Sequence, residues 1–151
     1  MTLQDRLMED LKTAMRSHDD VRRSVIRLVR SAVQNERISQ GKDLDDASVV
    51  QVMARMVRQY RESIAIFREK GRSDLADKEE SELAVVMAYM PRQLTSEEVL
   101  DVARRVVQEV SARGPGDKGK VMGVLMPQLR GKVDGNVVNA VVTDLLESMA
   151  G

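Results

Sequence analysis

The amino-acid sequence predicts an all-α protein in two parts: a four-helix N-terminal domain over residues 1–91 and a three-helix C-terminal tail domain over residues 92–151. Three observations carry this expectation. Apolar residues recur at three- and four-residue steps nearly everywhere, and no segment alternates as a half-buried strand would. Gly41, Gly71 and Pro91 stand at the ends of periodic stretches, where helices stop. Directly after Pro91-Arg92-Gln93-Leu94, the run Thr95-Ser96-Glu97-Glu98 has the form of a capping box that opens a new helix.

In chain order, Leu3, Leu7, Leu11, Ala14 and Met15 mark the first helix, with Thr2 as its N-cap. Val21, Val25, Leu28, Val29, Ala32 and Val33 mark the second, entered through Asp19 and Asp20 and stopped near Gly41. The third is long, with Val49, Met53, Met56, Tyr60, Ile64 and Phe67 in one stripe running up to Gly71. Arg72-Ser73-Asp74 restarts the chain, and Leu75, Leu83, Val86, Met87 and Met90 form the face of the fourth. Pro91 ends it, because proline has no amide to donate and disfavours the helical conformation in the residue before it. Val99, Ala103, Val106, Val107 and Val110 belong to the fifth, closed by the breaker Arg113-Gly114-Pro115-Gly116. A short sixth helix holds Val121, Met122, Leu125 and Met126, with Pro127 near its end. Gly131 to Gly135 turns the chain into a last helix bearing Val138, Val141, Val142, Leu145 and Met149.

Composition narrows the chemistry. With 42% hydrophobic and 32% charged residues the chain is globular in type, yet aromatics make up only 2%: Tyr60, Phe67 and Tyr89. A core must therefore be built from Val, Leu, Ile, Ala and the ten Met. The absence of Cys excludes disulfides, thiolate metal sites and a cysteine nucleophile. There is no apolar run of signal-peptide type at the start and no window of membrane-spanning length, so the expected location is the cytoplasm, without membrane contact. Formal net charge is zero, so contact with nucleic acid has to come from a local patch and not from a global field.

No catalytic constellation emerges, and no catalytic residue, metal ligand or cofactor is assigned. His18 is the only histidine and stands in a turn beside Asp19 and Asp20; an exposed loop residue is the simpler reading. Asp43, Asp45 and Asp46 precede the third helix, where carboxylates favour the positive end of the helix dipole over a metal. Within the acidic run from Asp74 to Glu82, Glu79 and Glu82 fall on the Leu75/Leu83 side. A half-buried ion pair with arginines of the second or third helix is expected for them, ahead of a solvated face or a carboxylate pair. Arginines form two stripes, Arg23, Arg27, Arg30 and Arg37 on the second helix and Arg58, Arg61, Arg68 and Arg72 near one side of the third. Phosphate would suit such stripes, although Glu62 and Glu69 answer part of the charge, and the ion-paired reading is preferred.

The glycines of the last third differ in character. Lys118-Gly119-Lys120 and Arg130-Gly131-Lys132 flank the two ends of the short sixth helix. Glycine exposes backbone amides and admits a bulky partner, and flanking cations suit phosphate. The P-loop pattern is absent, so spacing alone supports a polar turn as well as an anion site.

The stretch from Gly119 to Leu146 resembles the tail domain of the B subunit of the tRNA-dependent amidotransferase (GatB). The matching residues are Val121-Met122, Arg130-Gly131-Lys132, the Asp134-Gly135 turn, and Val138-Asn139 ahead of Leu145-Leu146. Arg130 stands where lysine is commoner; it keeps the charge but meets phosphate with a planar fork. Upstream, the chain is similar to the stand-alone YqeY-like family. That likeness is carried by Arg61-Glu62-Ser63, Phe67, Gly71-Arg72-Ser73-Asp74-Leu75-Ala76, Glu79, Glu82-Leu83 and Tyr89-Met90-Pro91-Arg92-Gln93-Leu94.

The resemblance implies the four-plus-three helical arrangement and a tail related to one that helps hold the elbow of tRNA. Glutaminase and kinase-like chemistry belong to other domains and subunits of the amidotransferase. A label of carbon–nitrogen ligase with glutamine as amido donor would follow from family association, since no ATP-binding or catalytic motif supports it here. Two readings remain in view. One is an accessory protein binding tRNA or another structured RNA through Lys118, Gly119, Lys120, Arg130, Gly131 and Lys132, with Arg58, Arg61, Arg68 and Arg72 as a secondary basic face. The other is a protein-interaction module that docks on an amidotransferase, a synthetase or another partner.

Overall fold

The computed structural model describes residues 1–150, and among these it contains seven α-helices, one 3-10 turn and no strand. The helices are α1 (Leu3–Arg16), α2 (Asp20–Gln40), α3 (Asp46–Glu69), α4 (Ser73–Met87), α5 (Ser96–Glu109), α6 (Lys118–Leu129) and α7 (Gly135–Ala150). The 3-10 turn Pro115–Asp117 precedes α6.

Local chemistry sets most of the boundaries. The Thr2 hydroxyl accepts from the Asp5 amide at 3.1 Å while the Asp5 carboxylate takes the Thr2 amide, so α1 opens with a full capping box. Asp19 accepts from the Arg22 amide, Asp45 from the Ser48 amide and Thr95 from the Glu98 amide, starting α2, α3 and α5. Each such cap is worth about 1 kcal/mol relative to alanine. Gly41 ends α2 in the left-handed conformation (φ 69°), its amide donating to the Arg37 carbonyl at 2.9 Å.

One end differs from expectation, that of α4, whereas Pro127 stands near the end of α6 as expected. Helix α4 stops at Met87, short of Met90, because the Tyr89 and Met90 amides donate three residues back, to Val86 and Met87, and tighten the last turn ahead of the proline. Helix α6 runs through Pro127 to Leu129. The bond lost at proline would have gone to the carbonyl of Gly123, which is exposed to solvent.

By internal packing the chain divides into a unit Met1–Met90 and a second unit beginning at Pro91. The first holds α1 to α4 around a core that includes Leu7, Val25, Ile26, Val29, Val49, Met53 and Val86. The expected stripe on α2 was displaced. Val21 and Leu28 are 44% and 50% exposed, whereas Ile26 is fully buried. Helix α2 packs against α1, α3 and α4 together, which widens its buried face and centres it on Val25, Ile26, Val29 and Val33. On α3 the same effect buries Val52 and Val57 and leaves Met56, Tyr60, Ile64 and Phe67 half-buried. In the second unit α5, α6 and α7 pack pairwise around Val99, Ala103, Val106, Val121, Leu125, Val138, Val142 and Leu146. Of the methionines, Met53 is buried; Met56, Met87, Met90, Met122 and Met126 pack at the core margins, and Met1, Met8, Met15 and Met149 are exposed.

Candidate nucleic-acid interface

The two basic clusters singled out by sequence lie at opposite ends of α6, and they are built differently. At the N-terminal end the 3-10 turn feeds directly into the helix: the Asp117 amide donates to the Gly114 carbonyl, and the Lys118 amide to that of Pro115. The Asp117 carboxylate is drawn back to the Arg113 amide at 2.9 Å and gives α6 no side-chain cap. Lys118, Gly119 and Lys120 are thus the first three residues of a helix with no acidic residue in its first turn. A helix N-terminus carries roughly half a positive charge, so the charges of two lysines there oppose the dipole. Lys118 is half-buried, Lys120 and Gly119 are exposed, and a Cβ on Gly119 would meet nothing within 4 Å.

The C-terminal cluster is a closed turn. The Arg130 amide donates to the Met126 carbonyl and the Lys132 amide to the Leu129 carbonyl, each at 3.0 Å. Gly131 lies between them in the left-handed region (φ 77°) and is buried. Its carbonyl accepts from Gln93 Nε2 at 2.9 Å, and the Lys132 carbonyl accepts from the Leu94 amide at 2.8 Å. The expectation that both glycines open the backbone to a partner is therefore corrected for Gly131, which closes a turn and anchors the segment leading into α5. Only the side chains of Arg130 and Lys132 face solvent. Sequence reasoning did not find this role of Gln93 and Leu94; the partners are 38 residues apart and no local pattern links them.

Among the described residues, Lys118, Lys120, Arg130 and Lys132 form no ion pair. Helix α6 has 12 residues and so is about 18 Å long, which sets the spacing of the two clusters.

The secondary basic face is different. Arg68 bridges Asp77 at 3.1 Å and Glu80 at 3.0 Å, and Nε and Nη2 of Arg72 each donate to Asp74 at 3.2 Å. Arg61 is half-buried and partnered, and Arg58 is exposed. On α2, Arg23 pairs with Asp20 and Arg37 with Asp43. Four of the eight arginines in the two stripes, Arg23, Arg37, Arg68 and Arg72, are thus answered by carboxylates of their own unit, which interrupts both stripes as cationic surfaces.

The remaining candidates have structural duties. His18 is an exposed turn residue with φ 57°. Asp45 caps α3, Asp46 accepts the Leu3 amide at 3.0 Å, and Asp43 holds Arg37. Glu79 and Glu82 are half-buried. Burial and then Glu82 push the Glu79 carboxyl upward; the Tyr60 hydroxyl lies 3.5 Å from Glu82 and is itself pushed up to about 12 by burial and the two carboxylates. One cluster escaped the sequence reading altogether. The buried Tyr89 donates to Asp10, with Arg22 3.8 Å from the same carboxylate and Arg6 5.1 Å above the ring. It joins α1, α2 and the turn after α4 across 79 residues of chain.

Comparison with known proteins bears on this geometry. The family model described as "Yqey-like protein" matches residues 4–146. A Kluyveromyces lactis protein, "Altered inheritance of mitochondria protein 41, mitochondrial", is 35% identical over 130 residues, covering 85% of this chain and 67% of its own. Its namesake from Lachancea thermotolerans is 39% identical over 85 residues, 56% of this chain and 46% of the relative. That from Saccharomyces cerevisiae (strain YJM789) is 33% identical over 107 residues, 70% and 57% of the two chains. The chain thus spans about half to two thirds of the length of these relatives.

Their names overturn the expected cytoplasmic location, since these relatives are mitochondrial proteins. That expectation rested on a missing apolar run, which marks secretion; mitochondrial entry relies on amphipathic segments rich in Arg and Ser. With a family match over nearly its whole length and the helical architecture described above, the chain belongs to the YqeY-like protein family.

Proposed function

We propose that this protein is an accessory module without catalysis of its own that binds structured RNA, with tRNA as the expected class, through the two basic ends of α6. In this reading α1 to α4 form an N-terminal domain, and α5 to α7 form a tail domain that carries the contact. The observation that carries it is the placement of Lys118 and Lys120 in the first turn of α6. They oppose the helix dipole there, have no acidic partner among the described residues, and flank an open glycine. Residues that break a stability rule without a structural return are the ones to attribute to a ligand. Arg130 and Lys132, about 18 Å away along the helix, supply a second phosphate contact. All three aromatic side chains precede Pro91, so the tail has none for base stacking, and recognition proceeds by shape and backbone charge. The likeness of Gly119–Leu146 to a tRNA-contacting tail domain supports the same reading.

Filter binding at low salt tests it. Folded tRNA is expected to bind in preference to random RNA of equal length, with affinity falling as salt rises. Lys120→Ala and Lys132→Ala each weaken binding and reduce the slope of log affinity against log salt by about 1, whereas Arg68→Ala leaves both unchanged. Equal binding of folded and random RNA rejects the proposal.

A further inference from the structure

The second unit has another surface. Between α5 and α7 lies a groove of about 360 Å³ whose half-buried floor includes Leu100, Val141 and Leu145. Glu97 and Asp144 stand exposed along it, and neither forms an ion pair among the described residues. The one cation of the lining, Arg104, lies 3.9 Å from Asp101 of its own helix. The groove is therefore apolar along its floor and negative in balance. No residue of α6 lines it, and because α6 packs against both α5 and α7, the groove opens on the face of the unit away from α6.

We infer that this groove is a docking site for a basic amphipathic helix of a partner protein. The valley between two packed helices accepts the side-chain ridge of a third. The backbone of both walls is bonded within its own helix, so no sheet edge exists to which an extended peptide could add. From Ser96 to Arg104 the groove runs about 12 Å, enough for the roughly 10.5 Å over which apolar anchors at positions i, i+4 and i+7 of a docked helix are spread. Glu97 and Asp144 then select lysine or arginine on the flanks of that helix and disfavour acidic ones. The site is separate from the basic ends of α6, so a protein and an RNA can be held together.

The test uses the full chain and two synthetic helical peptides about three turns long, both with leucine at i, i+4 and i+7, one flanked by lysine and one by glutamate. Backbone amide NMR is expected to show shifts confined to residues 96–104 and 141–148, with the lysine peptide binding about tenfold more tightly than the glutamate peptide. Asp144→Lys, and separately Glu97→Lys, abolish that preference while the rest of the spectrum and tRNA binding stay as in the parent. Equal binding of the two peptides, shifts that map elsewhere, or self-association of the chain through these residues overturns the inference. Loss of tRNA binding on Lys120→Ala bears on the proposed function and leaves this result untouched.

Discussion

Gly119 lies in the first turn of α6 and Gly131 in the turn after its end, and the structure predicts opposite consequences when each is changed to alanine. At Gly131 the backbone is left-handed (φ 77°) and buried. An L-residue there costs about 1–2 kcal/mol, offset by about 0.4–1 kcal/mol from the lower entropy of the unfolded chain. The net is a loss on the order of 1 kcal/mol, a fall in Tm of about 2–4 °C for a chain of this size. At Gly119 the residue is helical and exposed, with nothing within 4 Å of the added Cβ, so alanine stabilises by up to about 1 kcal/mol. Thermal melting by circular dichroism reads both signs. Filter binding with tRNA separates stability from contact. Gly131→Ala keeps its affinity once folded, because the neighbouring amides are already bonded inside the turn, while Gly119→Ala binds less tightly despite melting higher. A Gly131→Ala protein that melts at or above the parent temperature would refute the turn assignment. A Gly119→Ala protein that binds tRNA as tightly as the parent would remove Gly119 from the contact.

Two further expectations follow from the packing and the charges. Ile26→Ala removes a fully buried side chain and is expected to cost about 2–5 kcal/mol in urea unfolding, whereas Leu28→Ala, two residues on and half exposed, changes stability by no more than about 0.5 kcal/mol. The Arg92 guanidinium and then the Thr95 amide lower the Glu98 carboxyl to about 2. Its folded value lies below the unfolded one of 4.5, so the stabilisation is complete above that value and is lost as pH falls toward 2. An NMR titration of Glu98 should show that low midpoint in the parent and a shift toward 4.5 in Arg92→Ala; an unchanged midpoint contradicts the pairing.

Much of the helix inventory was legible in the sequence because helix boundaries are local events. Thr2, Asp19, Asp45 and Thr95 cap the helices that follow them, and Gly41 and Gly71 adopt the left-handed conformation that ends the preceding ones. These effects act over one turn and need no knowledge of the rest of the fold. The acidic residues ahead of α3 were legible for the same reason, since a cap and a dipole are properties of the first turn.

Other features were set by partners distant in the chain. Which face of α2 is buried depends on three neighbouring helices, so Ile26 took the place expected for Leu28. Tyr89 meets Asp10 across 79 residues, and Gln93 meets Gly131 across 38. At the candidate interface, the sequence by itself determined the residue types at the two ends of α6, a glycine between cations in each case. Only the tertiary structure decided their difference. One glycine stands open at a helix start, and the other is buried in a turn whose carbonyls hold Gln93 and Leu94. The reason is that a backbone amide is available to a ligand only where the fold has not already bonded it.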